Sequence, residues 1–392
     1  MKLFKKFAAA VTGAAMIAAC FAGCGGSDSG YTADNTEYVI GLSGPLTGNA
    51  SLYGMGVKNA AQMAVDEINE KGGLGGVKFK LVTTDDMNDP AKISTNYSSL
   101  FEGGMQVSLG TVTTKPALEW KNLSADDNVF FITPSASADA VPANDNGYQM
   151  CFADGNQGGV AADYVNSQFK GKTIGVFYKS DDAYSKGVYD QFKEKLDSSV
   201  TIKEAAFTDA NTTDFSSQIN SLKEYSFIFM PIYFTPASIF MTQAKGIIAD
   251  DAVYYGCDGL DGVDSIDGFD INSIPQEVSM LSQFNSKATD GAAKEFIDKY
   301  VAKYGKETLN QFGASAYDCV YAIYGAMKQA IDSGKEIPVT ISASDLCDIL
   351  KEQFQGGFTM SGVTGAKIAW DKNGYVNKSA IKYIIKEADA NK

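Results

Sequence analysis

The chain contains no arginine and no histidine: its 33 basic residues are all lysines, set against 47 acids for a net charge of −14 over 392 residues. Without an imidazole there is no Ser-His-Asp or Cys-His arrangement to build, and zinc would find only cysteine and carboxylate. Cysteine is also scarce, six residues with no C-x-x-C spacing, which leaves no zinc or redox motif. There is no G-x-S-x-G elbow, and no motif sets two acids at catalytic separation. Dense basic runs are missing too, which argues against nucleic acid, because its phosphates demand clustered cations. These absences point away from an enzyme, a metal or a cofactor. Any anion the chain holds must be gripped by hydroxyls, backbone amides, helix ends or a lysine.

One stretch has that character. Leu109-Gly110-Thr111-Val112-Thr113-Thr114-Lys115-Pro116 reads as the end of a buried strand turning directly into a helix, with Pro116 at the first helical position. Such a corner turns several backbone N–H groups outward, and the helix dipole adds partial positive charge beside the threonine hydroxyls. The plain alternative is that the threonines only cap the helix.

The first two dozen residues form a targeting segment: Lys2, Lys5 and Lys6, an apolar run from Phe7 to Phe21, then small residues before cysteine. Residues 1–23 are expected to be a lipoprotein signal peptide. Two cysteines compete as the acylated residue, Cys24 after Phe21-Ala22-Gly23 and Cys20 after Ile17-Ala18-Ala19. Cys24 is favoured because Gly25-Gly26-Ser27-Asp28-Ser29-Gly30 follows it as a polar tether, residues 24–37 in all. Acylation there would anchor the protein in the lipid bilayer at the outer face of the cytoplasmic membrane. Removing three lysines with the signal leaves 30 against 47 acids, a net charge of −17. The later cysteines, Cys151, Cys257, Cys319 and Cys347, are expected as small buried residues, with Cys319 and Cys347 the pair to test for a disulfide.

From Tyr38 onward strands alternate with helices across short Gly- or Asn-rich corners, which predicts an α/β fold of two lobes, each a parallel sheet flanked by helices. Val39–Leu42 reads as a buried strand, and Val57, Ala60, Ala61, Ala64, Val65 and Ile68 make the 3.6-residue stripe of the helix after it. Strands follow near Phe79, Val107, Val129 and Tyr148 to Ala153. After Gly155-Asn156-Gln157 the alternation resumes, with strands near Ile174, Val200, Phe227, Val253 and Val278 and helices near Ala183, Asp214 and Pro236. The late helices at Asp290–Lys303, Gly313–Asp332 and Ser344–Gln353 suggest that the chain crosses between lobes more than once. Ligands of parallel sheets gather at the carboxyl ends of the strands, where the loops after Leu42, Leu109 and Ile132 lie.

In this order the residues resemble the type I periplasmic binding proteins, in particular their leucine/isoleucine/valine-binding branch. The markers are Gly44-Pro45-Leu46-Thr47-Gly48 with Tyr53-Gly54, Asp66-Glu67-Ile68-Asn69 with Gly72-Gly73, Asp85-Asp86 with Asp89-Pro90, Pro134-Ser135-Ala136-Ser137, Gln157-Gly158 and Ala316-Tyr317-Asp318. The resemblance implies two Rossmann-like lobes joined by a multi-stranded hinge, residues 38–154 with 284–370 and residues 155–283 with 371–387. It implies a monomer that binds a small amino acid, branched-chain or otherwise hydrophobic, and delivers it to an ABC permease. By the same match, Thr114 and Ser137 offer hydroxyls to the ligand carboxylate and Ala136 a carbonyl to its ammonium. Asp258 stands where the family usually has a glutamate for the ammonium, Tyr184 and Tyr233 reach in from the second lobe, and Tyr53 and Phe312 wall the side-chain pocket. The family's cysteine pair is replaced here by Met87 or Asn88 and by Thr113, so that bridge is absent. The shorter Asp258 leaves other solutes open, an amide, a nucleoside or an aromatic acid, as well as a role as a sensor ectodomain.

Overall fold

The computed structural model describes residues 34–142 and 144–389; the signal segment and both candidate anchor cysteines lie outside them. The first sheet is built from β1 (Tyr38–Gly44), β2 (Phe79–Asp85), β3 (Val107–Ser108), β4 (Phe131–Thr133) and β5 (Gly147–Gln149), all parallel in the order β2-β1-β3-β4-β5. β1 is buried along its whole length, as a strand covered on both faces must be. Its helices are α1 (Ser51–Glu70), α2 (Ile93–Glu102) and α3 (Thr114–Asp126). The apolar stripe of α1 is buried from Val57 to Ile68.

The chain then enters the second lobe through α4 (Asp154–Gln168). There β6 (Thr173–Lys179), β7 (Thr201–Phe207), β8 (Phe227–Met230), β9 (Val253–Gly256) and β10 (Glu277–Ser282) run parallel, separated by α5 (Ala183–Lys195), α6 (Ser216–Leu222) and α7 (Phe234–Gln243). Three return helices, α8 (Gly291–Tyr304), α9 (Gln311–Asp332) and α10 (Ala343–Gln355), go back to the first sheet, where α9 packs along α1. A short ribbon of β11 (Thr359–Met360) and β12 (Ile368–Ala369) follows, and β13 (Ile381–Lys386) ends antiparallel to β10, giving the second sheet the order β13-β10-β9-β8-β6-β7. The chain thus passes between sheets three times. At one passage Trp370 donates its indole N–H to the Gln149 carbonyl at 2.7 Å and packs on Phe354, whose ring lies tilted against Phe130 and Tyr148.

Two local expectations change. The strand from Tyr148 stops at Gln149, and the Gly-Asn-Gln stretch beyond it is not a loop but the first turn of α4. Gly155, Gly158 and Gly159 lower helix propensity there. The second is nonetheless required by packing, since a Cβ on Gly158 would lie 2.6 Å from the Phe192 nitrogen on α5. The other change is that α3 begins at Thr114, so Pro116 is its third residue, still within the turn whose N–H groups lack helical acceptors. Cys319 and Cys347 carry free thiols and are packed, fully buried, in the core of the first lobe. No helix among the described residues is long and apolar enough to cross a membrane.

Candidate functional site

A narrow cavity lies where the carboxyl edges of the two sheets face each other. Tyr53, Thr114 and Phe312 line it from the first lobe, together with Val112, Thr113 and Ser135; Tyr184, Tyr233, Asp258 and Gly259 line it from the second. Six of the eight expected ligand residues therefore share one space. Ala136 and Ser137 do not reach it. Thr133 Oγ1 accepts from the N–H groups of Ser135 and Ala136 at 3.3 and 3.0 Å, curling the loop tightly after β4. The Ala136 carbonyl then accepts from Gln149 Nε2 at 2.9 Å, so the acceptor expected for an ammonium is already engaged. The Ser137 carbonyl takes the N–H of Asp154 at 2.8 Å, which fixes this residue against the start of α4.

The threonine corner keeps its hydroxyl free. Thr113 precedes α3 in the capping position but makes no capping bond, and its Oγ1, with the residue 3% exposed, has no hydrogen-bond partner among the described residues. Gly110 at φ +61° and the bonds Thr111 Oγ1 to Thr113 O and Thr133 Oγ1 to Thr111 O hold the corner in shape. An orphaned buried hydroxyl beside the positive end of a helix is a place for an anion's oxygen.

Opposite stands Asp258, at the end of β9 and 2% exposed. Tyr184 donates its hydroxyl to Asp258 Oδ1 at 2.6 Å and accepts the Gly259 N–H at 2.9 Å, while Gln157 Oε1 accepts the Asp258 N–H at 3.1 Å. Burial pushes the Asp258 carboxyl up to about 6, with the hydrogen bond from Tyr184 pulling the other way. Tyr184 therefore orients the acid as well as lining the cavity. Asp154, at the start of α4, is equally deep: burial raises its carboxyl well above the usual range, and its Oδ1 has no hydrogen-bond partner among the described residues.

Aromatic rings close the remaining side. Tyr53 stands edge-on to Phe312 and to Phe234, both at 4.9 Å between centroids, and Tyr184 stacks on Tyr233 at 4.9 Å. Contacts across the gap flank the cavity: Lys115 Nζ with Asp182 Oδ2 at 3.8 Å, and the Gln311 N–H donating to Asp261 Oδ2 at 2.8 Å. Sequence reasoning did not assign Ser135, Gln157, Asp182 or Asp261. Ser135 and Gln157 both sat inside recognised motifs, while Asp182 and Asp261 follow strands of the second sheet at its ligand-facing edge. The arrangement places an acid on one wall, a hydroxyl and helix end on the other, and rings between.

A family model described as periplasmic binding protein matches residues 37–343. A Leu/Ile/Val-binding protein of Rhizobium johnstonii is 32% identical over 232 residues, 58% of this chain and 62% of the relative, so the match spans less than two thirds of that protein. A leucine-, isoleucine-, valine-, threonine- and alanine-binding protein of Pseudomonas aeruginosa is 28% identical over 310 residues, 76% of this chain and 79% of the relative. Among solved structures, a branched-chain amino acid transporter substrate-binding protein from Streptococcus pneumoniae in complex with isoleucine superposes with a TM-score of 0.72 at 24% identity, covering 88% of this chain and 100% of that one. At that identity the likeness shows the fold, two parallel-sheet lobes flanked by helices.

Proposed function

We infer that this chain, which belongs to the periplasmic binding protein family, binds a small α-amino acid, branched-chain or otherwise hydrophobic, between its lobes and presents it to an ABC importer. One observation carries the reading: a single cavity joins the buried carboxyl of Asp258 to the unpartnered hydroxyl of Thr113 at the start of α3. An ammonium would sit against Asp258, held in place by Tyr184. The ligand carboxylate would take the Thr113 and Thr114 hydroxyls and the amides of the helix end. Tyr53, Tyr233 and Phe312 would enclose the side chain. Ser135 lines this space where Ala136 and Ser137 do not, but its hydroxyl donates to the Val112 carbonyl, so the carboxylate is left to the threonines and the helix-end amides.

The division into residues 38–154 with 284–370 and 155–283 with 371–387 is proposed as two bodies that hinge about the three passages. Their closure over a ligand would be what the permease reads. The first residues are proposed to direct export and lipid anchoring through Cys24, holding a monomer at the outer face of the membrane. The protein delivers its ligand unaltered, in keeping with a family of solute-binding, non-catalytic type.

Calorimetric titration of the folded, mature protein tests the reading. Leucine, isoleucine, valine, threonine and alanine are the panel, and at least one should bind. Asp258→Ala leaves a buried ammonium without its counter-charge, which costs on the order of 2–5 kcal/mol by analogy with other desolvated charge pairs. Unchanged affinity in that variant would remove Asp258 from the site.

A further inference from the structure

A second cavity, of about 220 Å³, opens on the first lobe between α8, α9 and β11 and shares no residue with the site between the lobes. Phe296 from α8, Tyr317 and Tyr321 from α9 and Met360 from β11 line it. The rings are inclined rather than stacked: Tyr317 stands at 65° to Phe296 with centroids 5.2 Å apart, and at 47° to Tyr321 with centroids 4.9 Å apart. Both tyrosine hydroxyls donate to Glu67 Oε2, at 2.7 and 2.9 Å. A phenol that donates to a carboxylate is polarised, which makes its ring face more negative. The charged lining has the same sign. Lys299 is engaged by Glu67 Oε1 at 2.9 Å, while the exposed Glu295 has no ion pair among the described residues. Asp318 lies alongside, its carboxylate taking the N–H groups of Val363 and Thr364 at 2.8 and 2.9 Å. No lysine among the described residues lies over the ring of Phe296 or Tyr317.

We propose that these rings form a binding site for a small organic ammonium ion, of the choline or other methylated-amine class, separate from the site between the lobes and independent of the amino-acid reading. Inclined aromatic walls, polarised phenols and an unpaired carboxylate all favour a cation, and a methylated one gives up less hydration to reach them. An anion would meet Glu295 and Asp318 with Lys299 already engaged. The volume lies below the roughly 300–1,000 Å³ of pockets for drug-sized ligands, so the ligand is small. Such a cation reaches the rings either free in solution or as the headgroup of a lipid, and the chemistry of recognition is the same.

Calorimetric titration of the mature protein with choline tests this, beside the uncharged isostere in which a tert-butyl group replaces the trimethylammonium. Choline should bind, and the isostere about fivefold more weakly or less, the usual advantage of a cation at an aromatic face. Tyr321→Leu, made at a partly exposed residue, should weaken choline by about the same factor. Glu295→Gln, on the exposed side of α8, should weaken it too while leaving the melting temperature unchanged. Asp258→Asn should leave choline binding as it was. No binding of choline, equal binding of the isostere, or full choline affinity in Tyr321→Leu would each overturn the site. Loss of choline binding in Asp258→Asn would overturn it as well, by placing the cation between the lobes. Once choline binds, sedimentation with phosphatidylcholine vesicles separates the two sources: retention that Tyr321→Leu abolishes marks a lipid headgroup, and no retention marks a free solute. Failure of the amino-acid panel would leave all of these outcomes readable.

Discussion

Asp258 holds its proton up to about pH 6 because burial disfavours its charge. An ammonium docked against it would favour the ionised form and lower that value, so binding near pH 5.5 must release a proton. Affinity for an amino acid should therefore be flat near neutrality and fall as pH drops below 6, by up to about tenfold per unit. Titrations in two buffers of different ionisation enthalpy at pH 5.5 would count the released proton. Asp258→Asn should bind weakly at every pH and show no such release; if it keeps the release, another acid is responsible, and Asp154 would be the one to change next. At this scale the sequence was informative wherever a residue sits at a strand end. Asp258, Tyr184, Tyr233 and Thr114 all follow strands, so their edge placement could be read from periodicity and their roles from resemblance. Ala136 and Ser137 could not be resolved that way. Which of three consecutive loop residues faces the gap depends on Thr133 folding the chain back through its hydroxyl, and no periodicity encodes that bond.

Helix starts account for much of how the two lobes meet. Each lobe supplies an acceptor to the first N–H of a helix on the other: Tyr53 to Phe234 of α7, and Asp261 to Gln311 of α9. These amides have no intrahelical partner, so closure satisfies groups that otherwise need water. Asp261→Asn keeps the shape but removes the charge that Asp261 turns toward the α9 terminus above about pH 7. A charged bond of this kind contributes about 1.5–3 kcal/mol, so the variant should release ligand roughly tenfold faster or more, with little change in the association rate. Stopped-flow fluorescence separates the two rates; a change confined to association would show that Asp261 acts before closure. Lys115→Ala should do less, about 1 kcal/mol at most, because its partner contact with Asp182 is long and its own side chain is 28% exposed. Asp182 itself is a poor target, since it also caps α5 by accepting the Ser185 N–H. The alternation of helices and strands made the lobes legible because its periods are long. It missed α4, whose three glycines look like a loop when the surface that demands one of them, the face of α5 against Gly158, lies far along the chain.

Across the whole molecule, the buried acids set an unusual pH dependence of stability. Burial pushes Asp86 up to about 6, Asp258 up to about 6 and Asp261 up to about 7, and raises Asp154 well above its usual value. In the unfolded chain the same groups ionise near the ordinary carboxylate value of about 4. Between about pH 4 and 7 the unfolded state therefore binds fewer protons than the folded one, and stability falls as pH rises through that window. The excess of 47 acids over 33 lysines acts in the same direction, since acidification relieves self-repulsion. Below about pH 4 the trend must turn. Hydrogen bonds from Thr47 and neighbouring amides hold Asp85 below its usual value, and those from Tyr317, Lys299 and Tyr321 do the same for Glu67, in each case against the opposing effect of burial. Those contributions are lost once the groups take up protons. Scanning calorimetry without added ligand should thus give a higher melting temperature at pH 5 than at pH 7.5, and the double variant Asp258→Asn with Asp261→Asn should flatten that slope. A saturating amino acid should flatten it as well, because the docked ammonium stabilises ionised Asp258. A melting temperature that climbs steadily from pH 5 to pH 7.5 would mean that the carboxyls between the lobes are already charged, and the ammonium would then meet an acid that had no proton to give up.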